Sequence, residues 1–374
     1  MRHLPELFIF FVLLMGLPDW YIFRRYIRNW KNQWMRILYW FPSLLLLLSM
    51  IILFIAYEPR PQAMNYLGIF LVIFLCINVP KIFFILLSLL LKTRISVAIA
   101  LLIMGYLLFG ATKGKQYFDV KEVNIQSKEI PNDFDGFRIV HISDIHCGSW
   151  AGNITPLQKA VNLINAQNPD LIVFTGDLVN NLANELDNYM PVLSQLKAKL
   201  GVYSVMGNHD YSMYIPWETQ EAKNNEIQTL RNKQAQMGWT LLENKHVKLY
   251  QGNDSIALIG VENSGRPPFP NYARLSDAME GTEGMFQILL SHDPSHWQRE
   301  ILPNTDINLT LSGHTHAMQT KILGFTPSQF IYKENDGLYQ KDNQMLYVNI
   351  GLGYLLYPMR LGAWPEITVL TLKK

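Results

Sequence analysis

Residues 137–146 read Phe-Arg-Ile-Val-His-Ile-Ser-Asp-Ile-His, an apolar run of strand length that ends in Asp144-x-His146. Such a run suits a buried strand, which leaves the carboxylate and the imidazole in the loop past its carboxyl end. The pattern recurs downstream. Runs at 171–174, 202–205, 286–290 and 307–311 lead in turn to Gly176-Asp177, Gly207-Asn208-His209-Asp210, Ser291-His292-Asp293 and Gly313-His314-Thr315-His316. In an open α/β sheet the loops at strand carboxyl ends converge on one edge, where sites form. Helices fit between the runs. Thr155-Pro156 reads as an N-cap with proline at the first helical position, and Leu157, Ala160, Val161 and Ile164 follow at helical spacing. A second helix is predicted over 217–237, stopped by Gly238, and further strands over 255–261, 346–350 and 367–372. Pattern alone gives an α/β fold class.

The residue types then point to chemistry. Imidazole, carboxylate and carboxamide are ligands that suit Mn, Fe or Zn. Two such ions side by side activate water and clamp a phosphoryl group during in-line displacement. A lone histidine at a strand end is more often structural, and we read His141 and His296 that way because they match no ligand position. Cys147 reads as a small buried filler. With Cys76 it completes a count of two cysteines, too few for a disulfide framework. The net charge of +2 offers no concentrated basic face, so nucleic acid is not expected as a partner.

The first 112 residues have a different texture. Crossing a bilayer takes about 20 apolar residues, and four segments qualify: 4–23, 37–57, 66–91 and 95–111. The third contains Asn78, Pro80 and Lys81; we expect a kink at Pro80, with Lys81 snorkelling or facing other helices. Arg24, Arg25, Arg28, Lys31 and Arg36 crowd the first loop, Glu58 and Arg60 mark the second, and Lys92 and Arg94 the third. The positive-inside rule makes loops one and three cytoplasmic, with the N-terminus and the C-terminal domain outside. Trp20, Tyr21, Trp30, Trp34, Tyr39 and Trp40 fall near the expected interfaces. Arg2 supplies only a weak n-region and no small-residue cleavage site precedes Pro18-Asp19-Trp20, so the first span is expected to be retained. The organisation expected is a transmembrane region over 1–112, a linker over 113–134 and a catalytic domain over 135–374, integral to the plasma (inner) membrane.

The ordered blocks, with the tail Asn349-Ile350-Gly351-Leu352-Gly353 and Trp364-Pro365-Glu366-Ile367, resemble the calcineurin-like metallophosphoesterase superfamily, in its membrane-associated bacterial YkuE/YaeI-type branch. The likeness covers residues 135–374. It implies a four-layer α/β/β/α sandwich, here preceded by a bundle of about four transmembrane helices. It also implies two divalent metal ions, Mn foremost with Fe or Zn as alternatives. Asp144, His146 and His316 would hold one ion, and Asn208, His292 and His314 the other. Asp177 would bridge them, each of its oxygens taking one cation. A hydroxide shared by the metals would attack the phosphoester, His209 would protonate the leaving oxygen, and Asp210 would orient His209 or a neighbouring group. Where the branch carries a Gly pair after the His-x-His element, this chain has Ala317-Met318. Arg266 and Arg360 are candidate phosphate or headgroup contacts. The expected function is a membrane-anchored phosphohydrolase acting on a mono-, di- or pyrophosphate ester, on a small molecule or a lipid-linked or cell-envelope substrate. The alternatives are a phosphoprotein phosphatase and a non-catalytic metal-binding membrane sensor.

Overall fold

A computed structural model describes residues 4–55, 61–267 and 269–374. Arg2, the segment 56–60 with Tyr57, Glu58 and Arg60, and Pro268 lie outside the described residues. The chain forms two compact units, one of 1–113 with 356–359 and the other of 114–355 with 360–374.

The first unit is helical: α1 (Leu4–Ile22), α2 (Gln33–Leu38), α3 (Phe41–Ile55), α4 (Pro61–Ser88) and α5 (Thr93–Thr112). Asn32 starts α2, its side chain accepting from the Trp34 N–H at 2.9 Å. Three stretches, Gln33–Ile55, Asn65–Ser88 and Thr93–Gln116, are long and apolar enough to cross a membrane. The 19-residue α1 is a further apolar helix. Lys81 is not left to snorkel alone. Its Nζ pairs with Asp19 Oδ1 at 2.7 Å and donates to Ser43 Oγ at 3.0 Å, while Tyr39 OH donates to Asp19 Oδ1 at 3.1 Å. In the sequence Asp19 gives no sign of this pair, because the partners are 62 positions apart and on different helices.

Among the described residues the second unit holds twelve strands in two six-stranded mixed sheets. One runs β1-β12-β2-β3-β4-β5, from β1 (Asp119–Gln126), β2 (Arg138–Ile142), β3 (Leu171–Phe174), β4 (Val202–Ser204), β5 (Trp239–Leu241) and β12 (Glu366–Lys373). The other runs β10-β11-β9-β8-β7-β6, from β6 (Lys245–Gln251), β7 (Asp254–Gly260), β8 (Phe286–Leu290), β9 (Leu309–Ser312), β10 (Gly337–Lys341) and β11 (Gln344–Val348). Alternation along single strands sorts the layers. Ile139, Leu171, Val173, Ile288 and Leu290 fill the core between the sheets. Val140, Ile172 and Phe174 point the other way, onto α6 (Thr155–Ala166), with its Leu157, Val161 and Ile164. Leu289 and Ile259 pack outward with Trp297 and Ile301. These faces make four layers, α/β/β/α.

Two local expectations change. The segment expected to be a linker over 113–134 contains β1, which pairs in parallel with β12 (Val120↔Ile367, Ile125↔Leu372). Its apolar residues are diluted by Lys121, Glu122 and Asn124, so in isolation it reads as a tether. At α6 the N-cap is Ile154, with no side-chain cap, and not Thr155, whose N–H donates to Asn153 Oδ1 at 3.1 Å.

Candidate metal centre

The nine residues singled out by the motifs all fall in loops after parallel strands. Asp144 and His146 follow β2, Asp177 follows β3, and Asn208, His209 and Asp210 follow β4 in one sheet; His292 follows β8, and His314 and His316 follow β9 in the other. The backbone there is unusual. Asp144, His146, Asp177, His314 and His316 all have positive φ, between 48° and 73°. Left-handed backbone costs an L-residue about 1–2 kcal/mol, and such strain gathers at functional sites. The glycines before the ligands have a steric reason: a Cβ on Gly176 would meet His292 Nδ1 at 2.9 Å, and one on Gly207 the Asp177 backbone nitrogen at 2.7 Å.

The side chains converge in two groups, Asp144 with His146 and His316, and Asp177 with His292 and His314. In the first, His146 Nε2 lies 3.1 Å from His316 Nε2, which is 3.3 Å from Asp144 Oδ1. In the second, His292 Nε2 lies 3.1 Å from His314 Nδ1 and 3.2 Å from Asn208 Oδ1. Asp177 Oδ2 stands 3.6 Å from His146 Nε2 and 3.3 Å from His292 Nε2, so one oxygen faces both groups. Its other oxygen, Oδ1, accepts the His209 N–H at 2.9 Å. Of the two Asp177 oxygens, Oδ2 is thus the one that faces both groups.

The surrounding hydrogen bonds fix which nitrogens face inward. His146 Nδ1–H donates to Asn180 Oδ1 at 3.0 Å, and His292 Nδ1–H to the Thr175 carbonyl at 2.7 Å, leaving both Nε2 atoms bare in the neutral rings. Asn208 Nδ2 donates to Tyr214 OH at 2.7 Å, which turns its oxygen inward, and His314 Nε2 bonds Tyr332 OH at 2.7 Å. Lone pairs crowded at these distances repel unless a cation stands among them, so the donor set fits divalent metal. Protonation points the same way. Burial pushes His146 down to about 3. At His292 burial also pushes down, but the Asp177 carboxylate outweighs it and holds that ring up at about 10.

Several candidates have other work. Asp210 does not touch the His209 ring; its oxygens accept the N–H groups of Asp177 (2.9 Å), Leu178 (2.9 Å), Val179 (3.2 Å) and Gly207 (3.0 Å). It clamps the Asp177 loop to the Asn208 loop, so of the two roles expected of it the hydrogen bonds reach a neighbouring group and not the His209 ring. His209 is oriented instead by Asn180, whose carbonyl accepts its Nδ1–H at 2.7 Å. Arg360 is fully buried and donates to the carbonyls of Gly353, Ala363 and Ile350 at 2.7, 3.0 and 2.8 Å. Its Nη2 also lies 3.1 Å from His316 Nδ1. Arg266 is exposed, and its charge acts on Tyr332, beside His314. Asp293 accepts the Ser295 N–H at 2.8 Å. His296 bonds Ser291 Oγ and Glu300, and His141, held down to about 3 by burial, bonds Thr175 Oγ1 at 2.9 Å. Cys147 is buried. The motifs gave no signal for Asn180, Tyr214 or Tyr332, which lie outside every motif block.

Residues 137–318 match the profile of the calcineurin-like phosphoesterase family, and residues 1–94 that of a probable calcineurin-like phosphoesterase transmembrane domain. The Bacillus subtilis (strain 168) metallophosphoesterase YkuE is 34% identical over 272 residues, 68% of this chain and 85% of its own length. A Danio rerio transmembrane protein with a metallophosphoesterase domain is 33% identical over 289 residues, 74% of this chain; the chain spans 62% of that relative's length. The solved structure of TT1561 from Thermus thermophilus aligns at 13% identity and a TM-score of 0.37, over 58% of this chain and 90% of that one. The chain belongs to the calcineurin-like metallophosphoesterase family, with a transmembrane region at its N-terminus.

Proposed function

We propose that the chain is a membrane-anchored phosphohydrolase that cleaves a mono-, di- or pyrophosphate ester with two divalent cations. The observation that carries this reading is Asp177 Oδ2, one carboxylate oxygen facing both donor groups. Asp144, His146 and His316 would hold one ion and Asn208, His292 and His314 the other, with Asp177 shared. Manganese is the first candidate, and iron or zinc also suits the donors. Bound there, the ions supply an activated water and neutralise charge building on the phosphoryl group. The chain's own residues do the rest. Asn180 fixes the His209 ring by its Nδ1–H, which leaves Nε2 to carry a proton to the leaving oxygen. Asp210 keeps Asp177 and Asn208 in register. Arg266 would meet a phosphate at the mouth.

Mn²⁺-dependent hydrolysis of matched aryl phosphate monoester and diester substrates tests this on the purified full-length protein. Wild type should turn over one of them, and His209→Ala should lose roughly 10²–10⁴-fold in kcat while keeping its metals. Metal-loaded wild type that hydrolyses neither ester would sink the reading. The loop charges further support an orientation with the catalytic unit on the side away from the cytoplasm, in what we take to be the plasma (inner) membrane. A cysteine at Lys115 should then react with an impermeant maleimide in intact cells; reaction only after lysis would reverse that orientation.

A further inference from the structure

The chain between the ligand His316 and Tyr332, the partner of His314, displays large apolar side chains to solvent. Met318, Ile322, Leu323, Phe325, Phe330 and Ile331 are all exposed, Leu323 at 103% and Phe330 at 81%. Elsewhere in this unit exposed large apolar residues stand singly or in adjacent pairs, which is ordinary for a soluble surface. Six within fourteen positions is not. The loop is well held at its base, so the exposure belongs to a built shape. Lys321 N–H donates to the Leu361 carbonyl at 2.7 Å, Leu361 N–H to the Gln319 carbonyl at 2.9 Å, and Ile322 and Phe325 exchange backbone bonds of 2.9 and 3.0 Å around the Leu323-Gly324 tip. Thr326 Oγ1 donates to the Ala317 carbonyl. The departure at Ala317-Met318 fits here. Met318 keeps φ at 45°, where glycine would be easier, and adds a partly exposed apolar chain to the patch.

We propose that the 318–331 loop docks into the surface of an anionic lipid bilayer, so that the metal centre works on phosphoesters presented there. Two observations select a bilayer over a protein partner. The chain carries its own membrane-spanning helices, and only the six residues 113–118 separate Thr112 at the end of α5 from Asp119 at the start of β1, a reach of at most about 25 Å. The patch is also bordered by cations, with exposed Lys333 two residues past the loop and exposed Arg266 near Tyr332, which complement anionic headgroups, while Lys321 within the loop is paired with Asp336. The docking stands apart from catalysis; the substrate class rests on the phosphohydrolase reading above.

The test uses full-length protein reconstituted into vesicles of phosphatidylcholine and phosphatidylglycerol. Both native cysteines are buried, so an environment-sensitive dye can be attached at Leu323→Cys, at Phe330→Cys, and at Tyr250→Cys on β6 as a water-exposed control. Quenching by lipid-attached nitroxides at 323 and 330, but not at 250, is expected. A dye at both loop positions as water-accessible as the control overturns the proposal. So does a dye shielded from water yet out of reach of the lipid quencher, which would mean a protein covers the loop. In a second arm, Leu323→Asp with Phe330→Asp should leave hydrolysis of a soluble aryl phosphate unchanged. The same variant should lower hydrolysis of a vesicle-borne phosphate ester roughly tenfold or more. Equal effects on both substrates would overturn the substrate class. Loss of all activity in wild type would instead count against the phosphohydrolase and leave the quenching result standing.

Discussion

Each unit of the molecule buries aspartate, and the two solve the problem differently. In the helical unit Asp19 is answered by Lys81 at 2.7 Å and by the Tyr39 hydroxyl. In the catalytic unit the ion-pair partners of Asp144 and Asp177, among the described residues, are all histidines. A buried carboxylate without a fixed cation is costly, because desolvation favours its neutral form. Burial alone would raise both carboxyls, yet His316 holds Asp144, and His292 holds Asp177, below the ordinary range. Histidine changes its charge near neutrality and binds metal through a bare ring nitrogen, whereas a lysine ammonium has no lone pair to offer. The helical site is closed by its own cation; the other unit gathers donors that could hold one.

The contrast can be broken first at the shared oxygen. Asp177→Asn should abolish tight binding of the second ion and lower Mn²⁺-dependent turnover by about a thousandfold or more. Metal content by mass spectrometry and thermal melts check it, since Mn²⁺ should raise Tm in wild type but not in the variant. A variant that keeps two tightly bound ions would refute the bridging assignment. Next is the closed pair. Lys81→Met strands Asp19, which is 1% exposed, and should cost about 3 kcal/mol of stability in detergent. The double variant with Asp19→Asn should recover much of that loss, and additive losses would show that the pair is not coupled. Neither should change metal content. The smallest effect sharpens the catalytic side. Ala317→Gly and Met318→Gly relieve left-handed backbone at φ 49° and 45° and should each stabilise by up to about 1 kcal/mol. Unchanged or lower Tm would mean that the loop does not store strain there.

Much of the catalytic unit is legible locally. Strands at 171–174 and 286–290 appear where apolar runs put them, because a short run of buried residues bounded by Gly, Pro or polar turns admits few alternatives. β1 escapes because its pattern is broken by charge, and only pairing with β12, more than two hundred residues later, stabilises it. Asp210 looks catalytic because it adjoins His209. Its partners are backbone N–H groups on another loop, and a backbone donor has no sequence signature. Arg360 looks like a phosphate contact because a sequence does not display burial. Its guanidinium is spent on carbonyls of its own neighbourhood.

By itself the sequence determined the ligand types, the strands that carry them, the family they resemble and the membrane character of the first 112 residues. These follow from local periodicity and side-chain chemistry. Tertiary structure alone decided that His146 meets His316 across 170 positions, that one oxygen of Asp177 faces both groups, and that Lys81 belongs to Asp19. It also decided that the apolar residues after His316 face outward. The reason is physical: coordination geometry, ion pairing and exposure are properties of positions in space, and the chain brings those positions together only when the sheets and helices pack.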